Sequence, residues 1–313
     1  MPFLNEGGEP RKTVESIHRT CDPGQIDIIA VDDASEGELD TLADFANVTY
    51  VRNRDRIGSA GSKHLGAALA NTPFVLIIDA HMRFRHDRWC RRIVKALERE
   101  PSTAFCTVCL GLSASNMNPL LPRGRYYGAD LVLASEQTAD PGRPASEILE
   151  PKWARRQRGR CYDVPCILGA NYAFSKQWFM SIRGLEGLRG WGTEEPFLSL
   201  KTWLAGGRCR ILTDVQIGHM FRDHAPYRTP VAHLVYNKIF LCRTILPPDL
   251  AESLVRLLPR GAAFEEAMRM IEADHDTIDE ARGYYRTIFS HSIHDFCRRF
   301  GVGLPGRIPP ESP

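Results

Sequence analysis

Asp79 and His81 lie one residue apart, directly after the apolar run PFVLII at 73–78. Successive side chains of a strand alternate between its faces, so side chains two positions apart can converge on one point where the strand ends. A carboxylate and an imidazole are both common ligands of divalent metal ions. The spacing therefore predicts a metal site. The alternative is an aspartate that caps the backbone beside a histidine that faces solvent.

Two nearby segments carry groups that suit a nucleotide. VDDASEG at 31–37 ends an apolar run with Asp32 and Asp33, which can accept hydrogen bonds from a ribose or a base imino group, although an Asx turn would also explain them. NRDRIGSAGSKHLGAA at 53–68 places small residues and Lys63 at a predicted helix start, where backbone N–H groups and a cation favour phosphate. We therefore expect the metal ion to lie beneath a nucleotide diphosphate.

The elements that must position these groups alternate between strand and helix patterns, which predicts an α/β fold. The predicted strands are MPFL at 1–4, IDIIAV at 26–31, VTYVRN at 48–53 and FVLIID at 74–79, and the predicted helices are RKTVESIHRT at 11–20, GELDTLADFA at 37–46 and SKHLGAALA at 62–70. Such alternation is typical of parallel strands with crossover helices, where ligands bind beyond the strands' carboxyl ends. A central strand normally enters with several apolar residues, so either MPFL is a short strand or the natural start lies upstream.

The later part of the chain is expected to complete the domain and to add helices. The predicted elements are a strand and a helix in 166–182, a loop and a helix in 187–207, a strand in 209–221, and mostly helices from about residue 247. Pro196 suits the first turn of the second helix, and Gly206 with Gly207 suits its end. Residues 111–160 are rich in Pro, Gly and Arg and are expected to pass over the site, and 306–313 are expected to be frayed.

Several segments taken together resemble one family. FLNE, VDDAS, IIDAHMRF, GANYAFSKQWF, GWGTEEPFLSLKTWLAGG and IGHMFR follow one another in this order between residues 2 and 245. The combination resembles the GT-A fold glycosyltransferases, family 2 broadly, and is most similar to the polypeptide N-acetylgalactosaminyltransferases. The resemblance implies a Rossmann-like nucleotide-binding half, a mixed sheet flanked by helices, a catalytic domain over 1–245 and a helical extension over 246–313.

The resemblance also implies a complete set of metal ligands. In this family the D-x-H pair and the histidine of G-H-x-F-R bind Mn²⁺, which here means Asp79, His81 and His219. One carboxylate with two imidazoles suits Mn²⁺ or another transition ion better than Mg²⁺. Oxygens of the diphosphate of a UDP-sugar donor, and water, would complete the shell.

Further site residues are carried over from the same resemblance. They are Asp32 and Asp33 against uridine, Arg222 at the pyrophosphate, Trp191 and Glu194 in the sugar pocket, and Tyr227 on a mobile loop over the donor. An arginine suits pyrophosphate because its planar fork donates two hydrogen bonds to phosphate oxygens. A neighbouring histidine of the family has no match in register, because Ala225 takes its place and His224 comes one residue early.

Glu195 departs from the most similar relatives, and it bears on the stereochemistry of transfer. The retaining N-acetylgalactosaminyltransferases have an amide at this position, whereas inverting family 2 enzymes have a carboxylate that deprotonates the acceptor. The dipole of the helix that follows would hold Glu195 ionised and ready as a base, but helix capping explains it equally well. We expect catalysis to come mainly from a cation and Arg222, which stabilise charge on the diphosphate as it leaves.

The acceptor is less well specified than the donor. PKWARRQRGR at 151–160 has five lysines and arginines around Trp153, and it could follow a nucleic-acid backbone or form a solvated loop. Three hypotheses follow: transfer to a glycan or protein hydroxyl, transfer to hydroxymethylated pyrimidines in DNA, and an inactive nucleotide-sugar binding module. A nucleotidyltransferase is disfavoured, because the chain lacks the usual glycine-rich opening with basic residues.

Composition narrows the class of protein further. A formal charge of +2 and a pI near 8.1 are too balanced to indicate a general nucleic-acid binder. The nine cysteines follow no disulfide framework, and the pair Cys106 and Cys109 falls in a predicted strand, so we expect reduced thiols. Apolar runs fall short of the roughly 18 residues that a membrane span needs. We therefore expect a cytoplasmic protein of bacterial or viral origin.

Overall fold

The computed structural model describes residues 1–37, 41–121, 124–133, 148–222 and 226–304. The strands are β1 (Pro2–Phe3), β2 (Ile28–Asp32), β3 (Val48–Arg52), β4 (Phe74–Ile78), β5 (Met82–Phe84), β6 (Thr103–Ser113), β7 (Arg125–Tyr126), β8 (Ala129–Val132), β9 (Glu150–Trp153), β10 (Cys161–Asp163), β11 (Asn171–Ser175) and β12 (Arg208–Phe221). The helices are α1 (Glu9–His18), α2 (Gly58–Leu69), α3 (Trp89–Arg99), α4 (Lys176–Ser181), α5 (Glu194–Leu204), α6 (Val231–Ile245), α7 (Pro248–Leu257), α8 (Ala262–Ala273), α9 (His275–Ile288) and α10 (Ile293–Phe300). A short 3-10 helix, Pro23–Gln25, follows α1.

The strands form a mixed arrangement. β1, β2 and β3 form a parallel three-stranded sheet in that order, so β1 and β3 are its edge strands. A seven-stranded sheet has the order β10-β12-β6-β11-β4, with β5 paired to β12 and β7 to β6. In that sheet β6 and β12 are parallel, whereas β11 is antiparallel to both β4 and β6. The prediction of an α/β fold with a mixed sheet is therefore confirmed, and β1–β3 form the parallel part that the first strands suggested.

One predicted helix is wrong. The pattern GELDTLADFA predicted a helix over 37–46, but the described residues 41–46 form turns. Leu42 adopts a left-handed backbone conformation with φ of 55°, which an α-helix of L-residues cannot continue. Its side chain is fully buried, and Asp44 pairs with Arg11 of α1 at 2.7 Å. Tertiary burial therefore overrides the local helical pattern here.

The start of the chain is a short strand beside an apolar cavity. The amino group of Met1 donates to the carbonyl of Ile29 at 2.9 Å, and burial lowers its pKa to about 5. In this first strand, Pro2 and Phe3 pair with Val31 and Asp32 of β2. A cavity of about 290 Å³ lies between β2 and β4 and is lined largely by apolar residues of α2, α3 and these strands.

The core continues from the sheets into the C-terminal helices. One cluster of buried side chains packs α1 and α3 against one face of the strands, with Val14, Ile93 and Leu97 among its members. A larger cluster covers the other face and extends without a break through α4–α10. The rings of Phe197 in α5 and Tyr285 in α9 lie 6.2 Å apart within it. Among the described residues no helix is both long and apolar enough to cross a membrane.

Helix α5, which borders the site, begins and ends where the sequence indicated. Thr193 precedes it in a left-handed conformation, with φ of 70°, and Pro196 occupies its first turn. Gly206 follows its end with φ of 85°, a conformation that favours glycine. The short helix therefore starts sharply and projects its first residues toward the carboxyl end of β4.

Candidate functional site

Asp79, His81 and His219 come together at the end of β4, and we call these three residues the candidate metal-ligand cluster. Asp79 directly follows β4, and His81 precedes β5. β5 is antiparallel to β12, with His219 opposite Met82. This pairing of strands that are distant in sequence brings His219 beside His81, 138 residues away. The Nε2 atoms of the two histidines lie 3.1 Å apart, and Nε2 of His219 lies 3.4 Å from Oδ2 of Asp79. One ligand atom from each residue lies within 4.8 Å of the other two.

This geometry fits a divalent transition-metal ion. Two ligands about 2.1 Å from an ion and at right angles to one another lie about 3 Å apart, which matches the separation of the two Nε2 atoms. Burial alone would raise the pKa of Asp79, but a hydrogen bond from His219 and the charge of Lys63 outweigh it and hold the carboxyl ionised. The site therefore offers one anionic oxygen and two imidazole nitrogens, a donor set suited to such an ion.

Glu6, to which the sequence analysis gave no role, supports the cluster. Its Oε2 atom lies 3.3 Å from Nδ1 of His81, close enough for an ion pair but not aligned for a hydrogen bond, and it also pairs with Arg222. Burial tends to raise the pKa of Glu6, but the contacts with His81 and Arg222 outweigh it and lower the pKa. The signal available in the sequence was its place after β1, in the segment FLNE.

Lys63 lies behind the candidate metal-ligand cluster, where its ammonium is close to two carboxylates. It is buried in α2, and its Nζ atom lies 3.6 Å from Oε1 of Glu194 and 4.0 Å from Oδ1 of Asp79. Burial lowers the pKa of Lys63, but Glu194 and the other anions raise it well above its ordinary value. In this arrangement the lysine balances buried negative charge rather than facing the cavity as a phosphate ligand.

Asp32 and Asp33 are held by different partners. Oδ1 of Asp32 accepts from the amide of Ser35, and its Oδ2 accepts from the hydroxyl of Tyr50 at 2.6 Å and from Arg52 at 3.0 Å. Asp33 caps α2 from outside, because its two oxygens accept from the amides of Ile57 and Gly58 at 2.8 Å each. Only Asp33 of the pair lines the cavity described next.

A cavity of about 340 Å³ opens beside the candidate metal-ligand cluster, at the carboxyl ends of the first strands. Five of the sequence-predicted residues line it: Asp33, Asp79, His81, Trp191 and Tyr227. Its walls also include residues that the sequence analysis missed: Glu6, Arg56, Arg189 and His233. Arg56 reaches this wall from the loop before α2, where its guanidinium lies 5.5 Å from the centre of the Tyr227 ring. His224 and Ala225 lie outside the described residues.

Glu194 and Glu195 start α5 but have different surroundings. Oε2 of Glu194 accepts from the amide of Gly192 at 2.8 Å, whereas its Oε1 is buried and faces Lys63. Glu195 packs against Gly169, next to Ala170, whose carbonyl accepts from the amide of Asp79. Burial and the neighbouring Glu194 raise the pKa of Glu195 to about 7. Burial and a like charge therefore act against the helix dipole, which we expected to hold this carboxyl ionised.

An aromatic surface adjoins the candidate metal-ligand cluster on the side of β12. The ring of His219 lies 4.6 Å from that of Phe221, which contacts Tyr126 and Trp153 at 5.6 and 5.4 Å. Trp153, at the end of β9, remains half exposed. The residues that follow it at 155–160 are also exposed. Cys106 and Cys109 are buried thiols of β6, as the sequence indicated, and all nine cysteines are free.

Comparisons with known proteins agree with this architecture. Two curated relatives are polypeptide N-acetylgalactosaminyltransferase 10 of Homo sapiens, 25% identical over 278 residues that span 83% of this chain and 43% of the relative, and putative polypeptide N-acetylgalactosaminyltransferase 13 of Drosophila melanogaster, 25% identical over 239 residues that span 70% and 40%. The chain thus spans about half the length, or less, of the curated relatives it matches.

Solved structures show the same fold. The structure of GalNAc-T7 with UDP, GalNAc and Mn²⁺ superposes with a TM-score of 0.74 at 17% identity, over 96% of this chain and 56% of that one. The structure of S. aureus TarS 1-349 in complex with UDP-GlcNAc superposes with a TM-score of 0.51 at 11% identity, over 96% and 80%. These likenesses confirm the GT-A fold.

The sequence also matches a family as a whole. The family described as glycosyl transferase family 2 matches residues 1–183, which is more than half of the chain and contains β1–β11 with Asp79 and His81. The resemblance inferred from the order of the motifs is therefore confirmed. The chain belongs to glycosyl transferase family 2.

Proposed function

We propose that the protein is a metal-dependent glycosyltransferase that moves a hexose or N-acetylhexosamine from a UDP-sugar to a hydroxyl of a glycan or protein. The observation that carries this proposal is the convergence of Asp79, His81 and His219 beside a cavity of about 340 Å³ at the strand ends. Such a site is where open α/β sheets bind nucleotides. The named transferases among its relatives and the UDP in both solved neighbours support the same donor.

Asp79, His81 and His219 would hold Mn²⁺, since one carboxylate and two imidazoles at these separations suit that ion. When bound, the ion would offset negative charge on the diphosphate leaving group. Glu6 lies 3.3 Å from Nδ1 of His81 and would orient the ring on metal binding, since carboxylate partners of this kind raise the ligand strength of an imidazole. The metal-binding role thus extends over two layers of side chains.

Arg222 would stabilise the diphosphate together with the metal ion held by the candidate metal-ligand cluster. Its guanidinium is held beside the cluster by Glu6, and an arginine fork can donate two hydrogen bonds to phosphate oxygens. Asp33 and Arg56 at one end of the cavity would border the uridine, with Asp32 fixing the turn behind them. Tyr227, whose ring centre lies 5.5 Å from the Arg56 guanidinium, would cover the donor beside them.

Trp191, Glu194 and Glu195 would form the sugar end of the site. Trp191 is half exposed on the cavity wall, and Glu194 holds the preceding loop through Gly192. Glu195 has a pKa of about 7, which suits a general base at neutral pH. A base at this position would give inversion at the anomeric carbon, whereas a purely structural Glu195 would leave retention open, and the anomer of the product distinguishes the two.

The aromatic surface formed by Tyr126, Trp153 and Phe221 would receive the acceptor. It directly adjoins His219, and exposed aromatic faces pack well against sugar rings and apolar peptide side chains. A second acceptor, hydroxymethylated DNA, is favoured by the exposed arginines at 155, 156, 158 and 160 beside Trp153. An acceptor panel of glycans, peptides and modified duplex DNA decides between them.

The test is release of UDP from a set of UDP-sugars with and without Mn²⁺. We expect Mn²⁺-dependent release, and we expect His219→Ala to reduce kcat/KM by on the order of 10²- to 10⁴-fold, equivalent to about 3–5 kcal/mol of barrier. His86→Ala, at an exposed histidine outside the cluster, serves as the control. Folded protein that binds UDP but shows no release with any UDP-sugar would contradict the proposal and favour an inactive binding module.

We also propose that the catalytic domain extends over 1–245 and the helical extension over 246–313. The boundary falls where α6 ends at Ile245. The free state of all nine cysteines supports our expectation of a reducing compartment such as the cytoplasm. Expression of 1–245 alone tests whether the first part folds without the helices that share its core.

A further inference from the structure

The loop at 187–192, with the sequence GLRGWG, forms one wall of the cavity. Leu188, Arg189, Gly190 and Trp191 all line that wall. The segment contains turns and bends but no helix or strand, and three of its six residues are glycines. Glycine-rich backbone has wide conformational freedom unless neighbouring groups restrict it. The position of this wall therefore depends on what the rest of the fold attaches to it.

Helix α6 restrains the backbone of this loop from below. Asn237, which is fully buried, accepts from the amide of Arg189 at 2.8 Å and donates to the carbonyls of Arg189 and Gly192 at 2.8 and 2.9 Å. The loop also approaches α6 so closely that a Cβ atom at Gly187 would lie 2.1 Å from the Phe240 ring. These contacts fix the distance between the loop backbone and α6.

A side chain from the C-terminal helices restrains the loop from the side. Asp274 lies between α8 and α9, and its Oδ2 atom accepts from Arg189 at 2.7 Å and from the hydroxyl of Tyr236 at 2.6 Å. The Arg189 guanidinium lies 5.0 Å from the centre of the Tyr236 ring, so the ring and the carboxylate hold it from two directions. Asp274 is 85 residues away from Arg189 in sequence.

We infer that Asp274 is a positioning residue for the donor site: by holding Arg189 against Tyr236, it fixes the 187–192 loop in the conformation that completes the cavity wall. The helices after residue 245 then contribute to substrate binding and not only to the core. This inference rests on the proposed function for its donor, a UDP-sugar. A loop that occupies its binding conformation only part of the time weakens apparent affinity in proportion to that fraction.

The test compares Asp274→Asn and Asp274→Ala with wild type in two measurements. Hydrogen–deuterium exchange of the amides at 187–192 in the free protein should be about tenfold faster in the variants, and the KM for the UDP-sugar should rise about tenfold while kcat changes by less than about twofold. Tyr236→Phe keeps the ring but removes one hydrogen bond to Asp274, so it should give a smaller change in the same direction.

The matched control is Glu280→Gln. Glu280 lies in α9 and pairs with Arg183, so it also joins the C-terminal helices to the rest of the chain, but neither residue lines the cavity. This variant should leave both measurements unchanged. Unchanged exchange and KM in the Asp274 variants, or equal effects in Glu280→Gln, would overturn the inference. Wild-type protein that binds no UDP would overturn the proposed function instead, while the exchange measurement would still test the restraint itself.

Discussion

At the scale of single residues, Glu6 connects three parts of the site that are distant in sequence. It follows β1, pairs with Arg222 after β12, and lies 3.3 Å from Nδ1 of His81. One buried carboxylate thus contacts a proposed metal-binding imidazole and also the arginine proposed to bind the diphosphate. The removal of its charge should therefore affect metal binding and catalysis together.

Glu6→Gln tests this arrangement. Loss of a carboxylate partner behind a metal-binding histidine typically costs 10- to 100-fold in metal affinity or activity, so we expect the Kd for Mn²⁺ to rise by about that factor. Titration calorimetry with Mn²⁺ measures it directly. Glu36→Gln, at an exposed position, is the control. An unchanged Kd for Mn²⁺ in Glu6→Gln would show that Glu6 does not support the metal ligands.

Glu195 is the residue whose protonation should control the pH profile. Its pKa is raised to about 7 by burial and by Glu194, so the carboxyl is mostly protonated below pH 7 and mostly ionised above it. If Glu195 accepts the proton of the acceptor hydroxyl, kcat/KM should rise with pH through about 7 and then level. Glu195→Gln should lose most of the activity and also the rise. An equally steep rise in that variant would assign the titration to another group.

At the scale of elements, the start of α2 and the 187–192 loop share one narrow contact. Gly58 begins α2 with φ of 83°, its amide donates to Asp33, and a Cβ atom there would lie 2.3 Å from Cα of Gly190. The amide of Ala60 also donates to the carbonyl of Gly190 at 3.0 Å. The part of the cavity at Asp33 and the part at Trp191 are therefore joined through backbone, with no room for a side chain.

Gly58→Ala should disturb both sides. A left-handed conformation costs a residue with Cβ about 1–2 kcal/mol, and the contact with Gly190 adds to this, so we expect the free energy of unfolding to fall by about 2 kcal/mol or more. UDP affinity should fall as the loop moves away. Urea unfolding and UDP titration measure these effects. Gly283→Ala, in open space within α9, should be neutral or stabilise by up to about 1 kcal/mol.

At the scale of the whole molecule, the site-bearing half and the C-terminal helices are joined through α5. Lys201 of α5 is fully buried, and its Nζ atom donates to the carbonyl of Gly184 at 2.5 Å and to the Tyr285 hydroxyl of α9 at 3.3 Å. Burial lowers the pKa of Lys201 well below its ordinary value, and the charge of Glu186 opposes this only in part. Folding therefore makes the proton of Lys201 easier to lose.

This burial predicts how stability depends on pH. The unfolded chain releases the Lys201 proton at about pH 10.4, whereas the folded protein releases it at a lower pH. The free energy of unfolding should therefore rise as pH increases between the two pKa values, by at most about 1.4 kcal/mol per pH unit. Lys201→Met should remove this rise and should be more stable than wild type at pH 7. Urea unfolding at pH 7, 8 and 9 measures both. A wild-type profile as flat as that of Lys201→Met would contradict the prediction.

The sequence by itself determined the class of fold, the family and most of the metal site. Apolar runs of strand length and periodic helices are local patterns, so the strands that end at Asp32 and near Asp79, and the start and end of α5, could be read without a structure. Asp79 and His81 are two residues apart in sequence, and both lie in the short turn between β4 and β5. The one predicted helix that failed, at 37–46, is a short segment whose burial of Leu42 outweighs its local preference.

Only the tertiary structure decided which side chains face the cavity and which support others. The pairing of β5 with β12 places His219 on His81, although the sequence analysis reached His219 through family resemblance alone. Lys63 balances Asp79 and Glu194 from within the core, and Asp274 reaches the cavity wall from the C-terminal helices. These roles depend on contacts between residues far apart in the chain. Because burial and charge at each site come from several elements packed together, no local pattern could have specified them.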